Sequence, residues 1–208
     1  MNKPNASPQA GLPACTVRQQ KGFSLVTTLI LVIVVTILGI SASQIVLMSE
    51  KATRFDRDAQ IAFQAAEAAL LDAEFDIRGP NTSANQRLAR FSATSTAGFE
   101  DGCGTGTAKG LCAPAPDGQK PVWYSVDFTD DSANAKTVGF GDFTGRTFAS
   151  GSTGVRPEMP PRYIIEVIPD TSSGSNAGTP KTLFRVTAMG FGPRKETQAV
   201  LQMIFRKE

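Results

Sequence analysis

The chain has 208 residues, a length that suits one domain with an appendage. Its 21 basic and 19 acidic residues nearly balance, which argues against the basic excess of a nucleic-acid-binding protein. There is no histidine, so the commonest general base of enzyme catalysis is missing.

Residues 1–22 form a polar, basic stretch that holds Lys3, Arg18 and Lys21 and no acid. The run that follows, from Gly22 to Ser49, contains no charged residue. A bilayer core is crossed by roughly 20 apolar residues in a helix, so the segment from Phe23 to Met48 is long enough to span one. An ordinary signal peptide has its apolar region before the cleavage point and loses it. Here the order is reversed: a cut at Gly22 discards the polar leader and keeps the apolar helix. The 21 basic residues less the leader's three leave 18 against 19 acidic, so the remaining chain is close to neutral. The N-terminal flank carries only basic charges, whereas Glu50-Lys51-Ala52-Thr53-Arg54-Phe55-Asp56 mixes signs. The positive-inside rule then puts the leader in the cytoplasm and the rest of the chain across the inner membrane.

Residues 50–78 keep a helical pattern, with Ala52, Phe55, Ala59, Ala62, Ala66, Ala69, Leu70, Ala73 and Ile77 at three- and four-residue steps. The other face carries Lys51, Arg54, Arg57, Gln60, Gln64 and Glu67. Gly79-Pro80 ends the helix. Residues 80–121 are rich in Gly, Ser, Thr, Ala and Pro and hold Cys103 and Cys112. Cys15 would leave with the leader. A remaining even pair in an oxidising compartment reads as a disulfide, and a zinc site would need further ligands.

Four segments read as strands: Val122–Phe128, Tyr163–Ile168, Thr182–Phe191 and Thr197–Phe205. In the last, Thr197, Ala199, Leu201, Met203 and Phe205 share one face. Gly192 to Glu196 makes a hairpin loop, and residues 129–161 and 170–181 read as surface loops. The expected fold is α+β, with the polar half of a long N-terminal helix packed on an antiparallel sheet of about four strands. The division is 1–22 leader, 23–49 membrane-spanning half of the helix, and 50–208 head domain.

Three other features have plainer explanations. Leu12-Pro13-Ala14-Cys15 mimics a lipoprotein box, but the apolar stretch follows it instead of preceding it. Gly102, Gly104 and Gly106 lack the spacing of a phosphate loop and are explained by the need to close the loop around Cys103. Asp130 and Asp131 read as solvated loop acids, and no metal or cofactor is expected.

The leader and the junction Lys21-Gly22-Phe23-Ser24-Leu25 resemble those of type IV prepilins. Ala62-Phe63-Gln64-Ala65-Ala66-Glu67-Ala68-Ala69-Leu70 resembles the helix signature of PilX-type minor pilins. Phe184 to Gly192, with Ala199 to Gln202, resembles their C-terminal hairpin, and the cysteine loop is also similar. The resemblance implies a pilin-like fold and cleavage after Gly22 by a prepilin peptidase, with methylation of the new amine of Phe23. It implies residence in the inner membrane and later entry into a pilus. The partners it implies are other minor pilins and the major pilin through the N-terminal helix, together with a tip adhesin. One departure is at the fifth residue after the cut, where most pilins carry glutamate and this chain has Thr27. That position points to a priming or tip subunit of a type IV pilus. The alternatives are the tip pseudopilin of a type II secretion system or a single-pass anchored periplasmic domain.

Overall fold

A computed structural model describes residues 23–116, 118–151, 154–170 and 181–207. The chain divides into two compact units, Met1–Glu50 and Lys51–Glu208. Helix α1, Phe23–Arg78, contributes to both.

In the first unit the helix is exposed along nearly its whole described length, including Leu29, Val32, Ile37, Leu38, Ile45 and Leu47. By length and composition it can cross a membrane. Five of its hydroxyl side chains fold back on the helix itself. Thr27 Oγ1 donates to the Ser24 carbonyl at 2.9 Å and Thr28 Oγ1 to Leu25 at 2.9 Å. Thr36, Ser41 and Ser43 do the same to Ile33, Ile37 and Gly39. Each of these five hydroxyl hydrogens is satisfied internally, as an apolar surrounding requires.

In the second unit the helix lies on a mixed sheet. The strands are β1 (Leu111–Cys112), β2 (Val138–Gly139), β3 (Arg162–Pro169), β4 (Thr182–Phe191) and β5 (Gln198–Phe205). The long strands β3, β4 and β5 form an antiparallel meander, with Ile165 opposite Val186 and Val186 opposite Met203. The other edge of β3 is shared by two short strands: β1 pairs in parallel at Ile165 and Glu166, and β2 pairs antiparallel at Tyr163 and Arg162. The sheet thus has five strands and one parallel pairing, where the sequence suggests about four, all antiparallel. Two-residue strands carry no periodic signal, which is why β1 and β2 are invisible in the sequence.

Alternation along the strands gives the sheet two faces. Tyr163, Ile165, Val167, Phe184, Val186 and Ala188 pack with Ala69, Ala73 and Ile77 of the helix. Ile164 and Phe191 pack on the opposite side with Cys103, Cys112 and Phe128. In β5 the odd-numbered residues are the half-buried ones, as their spacing predicts. The helix stripe is buried from Asp58 onward, whereas Ala52 and Phe55 remain exposed. Gly79, at φ +76°, ends the helix and donates its N–H to the Phe75 carbonyl at 2.8 Å.

One predicted strand is wrong. Val122–Ser125 is a helical turn, α2, not the start of a strand over Val122–Phe128. Pro121 precedes it, Tyr124 N–H donates to the Pro121 carbonyl, and Ser125 Oγ donates to the Val122 carbonyl. Val122, Trp123 and Val126 instead cover the second hydrophobic cluster. Burial of aromatic and β-branched side chains, which the strand propensity reflects, is achieved here without a ladder.

Candidate functional site

The processing junction falls at the limit of the described residues. Gly22, Cys15 and the rest of the leader lie outside them, and α1 begins at Phe23. Thr27 stands in the first turns of that helix, half-buried, with its hydroxyl bonded to the helix backbone.

The cysteine loop is formed as predicted. Cys103 and Cys112 are bonded, with Cα atoms 4.0 Å apart and both residues fully buried. The Gly110 N–H donates to the Cys103 carbonyl at 2.9 Å, so the loop doubles back on itself. A side chain at Gly104 would collide with the Ala108 backbone, and one at Gly110 with Val138. Gly104 and Gly110 therefore serve loop closure and packing on β2, and Gly102 and Gly106 supply the positive φ of the turn, which accounts for them without a phosphate ligand. Cys112 is also the last residue of β1, so the bond ties the loop to the sheet.

Beneath this loop lies a polar centre that pattern reading misses. Asp76 is fully buried on the helix and accepts from Arg87 Nε at 3.1 and 3.0 Å and from Arg87 Nη2 at 2.6 Å. Tyr163 Oη of β3 donates to the same carboxylate at 3.0 Å. Arg87 Nη1 donates to the Thr107 and Lys109 carbonyls of the cysteine loop at 3.2 and 2.6 Å. The guanidinium also lies 3.7 Å from the centre of the Phe143 ring. One arginine thus joins the helix, the cysteine loop and the loop that follows β2. Burial, then the adjacent Asp76 charge, raises the Tyr163 phenol well above its ordinary pKa, so it stays a donor.

One helical turn earlier, Asp72 accepts from the Gly141 N–H at 2.8 Å and from Thr144 Oγ1. Burial raises its pKa, partly opposed by those two hydrogen bonds. On the sheet's other face Arg185 makes two hydrogen bonds to the fully buried Glu166, both at 2.9 Å. The signal in the sequence was Asp72 and Asp76 standing four residues apart within the alanine stripe. An acid on an apolar helix face is costly unless it is paired.

Of the two acids considered for a cation, Asp130 and Asp131, the first is occupied by a local turn, as is the nearby Asp127. Asp127 Oδ1 accepts from the Thr129 N–H and hydroxyl, both at 2.7 Å, and Asp130 Oδ1 accepts from the Ser132 N–H at 2.9 Å. Those bonds hold both carboxyls below their ordinary range. Among the described residues no group of three or more His, Cys, Asp or Glu could hold a metal ion.

An exposed apolar helix segment, continued into an amphipathic half that packs on a meander, defines a pilin-like α+β protein. A family model for the PilX N-terminal region matches residues 21–71. A second, described as type IV pilus assembly protein PilX, C-terminal region, matches residues 108–207. Together they span well over half of the chain, which belongs to the PilX family of type IV pilus assembly proteins. No curated relative and no solved structure matches it.

Proposed function

We propose that this chain is a minor pilin that works at the priming or tip end of a type IV pilus. It is cut after Gly22 by a prepilin peptidase, and the new N-terminus at Phe23 is methylated. It waits in the inner membrane with its N-terminus cytoplasmic and residues 50–208 periplasmic. It then enters the pilus through helix contacts with other minor pilins and the major pilin.

The observation that carries the tip assignment is Thr27. An acid within the hydrocarbon region costs several kcal/mol unless it is paired. A shaft subunit can pair such an acid with the amine of its neighbour, whereas a subunit with no neighbour beyond it has no such amine. Threonine carries no charge to be neutralised, and the Thr27 hydroxyl donates to the Ser24 carbonyl. Two measurements test the reading. Mass spectrometry of the membrane-resident protein should find N-methylated phenylalanine at Phe23, and an intact leader would reject processing. Immunogold labelling should mark filament ends in the native strain and mark the shaft more often in Thr27→Glu. Native labelling spread evenly along the shaft would reject the tip position.

A further inference from the structure

Strand β5 is an open edge of the sheet. β4 pairs with it on one side, and no strand pairs with it on the other among the described residues. The Gly192 N–H donates to the Thr197 carbonyl at 2.7 Å, and bonded pairs in an antiparallel ladder recur at every second residue. Ala199, Leu201, Met203 and Phe205 therefore bond to β4, whereas Gln198, Val200, Gln202 and Ile204 turn their backbone N–H and C=O groups outward. Among the described residues no backbone hydrogen bond from another element reaches those four. Native edges are commonly blunted by charge, by proline or by a short length. β5 runs for eight residues and has neither a charge nor a proline.

The surroundings of this edge decide what fits it. Within the head, α1 and β5 run in the same direction. Gly192 is wedged between Asp58 and Thr197 at one end, and Lys207 Nζ donates to the Ile77 carbonyl at the other. A cleft of about 570 Å³ opens where β5 begins, lined by Phe55, Ala59, Arg194, Glu196, Thr197 and Gln198. Phe63, one turn beyond Ala59, is exposed, and Leu70, Met203 and Phe205 are only partly buried at the rim of the helix-side cluster. The free charges on this flank are acidic. Asp56, Glu67 and Glu196 are exposed and make no ion pair among the described residues, whereas Arg194 is held by Asp58 and Arg78 by Glu74. Glu67 lies about 12 Å beyond Ala59 at 1.5 Å per helical residue. At about 3.4 Å per strand residue that is level with Leu201 and Gln202. A second copy of β5 carries no charge and so cannot answer an acid at that level.

We propose that β5 accepts an added strand from a different polypeptide, an extended segment with apolar side chains toward α1 and a lysine or arginine near its middle. The outward backbone groups of Gln198, Val200, Gln202 and Ile204 supply the ladder, which gives affinity without regard to sequence. Specificity comes from the side chains: a large apolar residue fills the cleft beside Phe55 and Ala59, and a basic one meets Glu67. The inference concerns the head domain alone and is independent of leader processing and of the tip position.

The test uses the full chain in detergent and, as probe, a short synthetic peptide alternating valine and lysine, with its valine–glutamate counterpart as control. The lysine peptide should bind, the glutamate peptide about tenfold more weakly. Amide hydrogen exchange read by NMR should show new protection at Val200, Gln202 and Ile204. Val200→Pro removes an outward N–H and no bond to β4, and should weaken binding about tenfold. Val200→Thr keeps that N–H and should bind as the native chain does. Glu67→Lys, at an exposed and unpaired position, should reverse the preference between the two peptides whether or not Val200→Pro folds. Binding without protection of those amides, or undiminished binding by a folded Val200→Pro, overturns strand addition. Equal binding of the two peptides, or an unchanged preference in Glu67→Lys, overturns the basic partner. In the host, a photo-crosslinker at Ile204 should join a different polypeptide at a segment of alternating apolar and basic residues, and Val200→Pro should abolish the adduct. No adduct, an adduct with a second copy, one at a segment without that pattern, or one that survives Val200→Pro overturns the proposal.

Discussion

Gly190 of β4 lies directly beneath Ala62 of α1, so close that a β-carbon on the glycine would overlap the Ala62 carbonyl oxygen and the Ala66 nitrogen. The helix backbone, not a side chain, is the surface that meets the strand at this point. Gly192 continues the notch, with Asp58 and Thr197 above it. The alanine stripe and these glycines are two halves of one close approach.

Gly190→Ala should therefore be among the most damaging single-methyl additions in the chain. Overpacking of this kind costs about 3 kcal/mol, since backbone on one side cannot rotate away. Thermal unfolding of the full chain in mild detergent should show Tm falling by about 10 °C. Gly39→Ala, where nothing lies within 4 Å, should leave Tm unchanged. A tolerated Gly190→Ala would mean that helix and strand are farther apart than described.

Asp76→Asn and Arg87→Met each strip one partner from a buried, multiply bonded pair. Removing one side of such a pair costs about 3–5 kcal/mol, because the other charge is stranded. The double substitution should cost less than the two single losses added together. A double-mutant cycle by chemical denaturation measures the difference, and strict additivity would show that the two groups do not interact.

Acid should reveal Asp72. Its folded pKa is raised above the ordinary value of 3.8, mainly by burial. The folded state therefore takes up its proton before the unfolded state does. As pH falls through the raised value toward 3.8, this residue's contribution to stability rises, and above that window its ionisation opposes folding. Asp72→Asn removes that component while leaving other carboxylates in place. The stability of the native chain relative to Asp72→Asn should increase on acidification, as followed by denaturant titration at several pH values. A difference independent of pH, or one that decreases with acid, counts against the assignment.

Cys103→Ser should destabilise the head by about 3 kcal/mol in the chain-entropy account of a loop this size. The same substitution at Cys112 should match it, and the pair together should add little more. Thiol labelling of the native chain under non-reducing conditions should find neither Cys103 nor Cys112 reactive.

What could be read in advance follows from which features repeat. β4 spans the very residues Thr182–Phe191 that the sequence marks out, and β3 and β5 differ from their expected spans only at the ends. β5 alternates along its whole length, and β3 and β4 are marked by β-branched and aromatic runs. The disulfide was legible because an even cysteine pair after the apolar run has few other uses. Val122–Phe128 misled because its composition records burial, and a helical turn can supply burial as well as a strand can. Arg87, Asp76 and Tyr163 were unreadable as a group. They come from three separate parts of the chain, and only the packing of α1 against β3 brings them together.

The hydroxyls of Thr27, Thr28, Thr36, Ser41 and Ser43 are all bonded to carbonyls of their own helix. That leaves these five side chains self-contained. They can exchange acyl chains for the sides of other helices without breaking or making a hydrogen bond. Their part in the free energy of such an exchange then reduces to shape: how well neighbouring side chains fill the grooves compared with fluid lipid. A surface without charge is nearly indifferent to pH and salt, and where these hydroxyls face a neighbour its selectivity is steric.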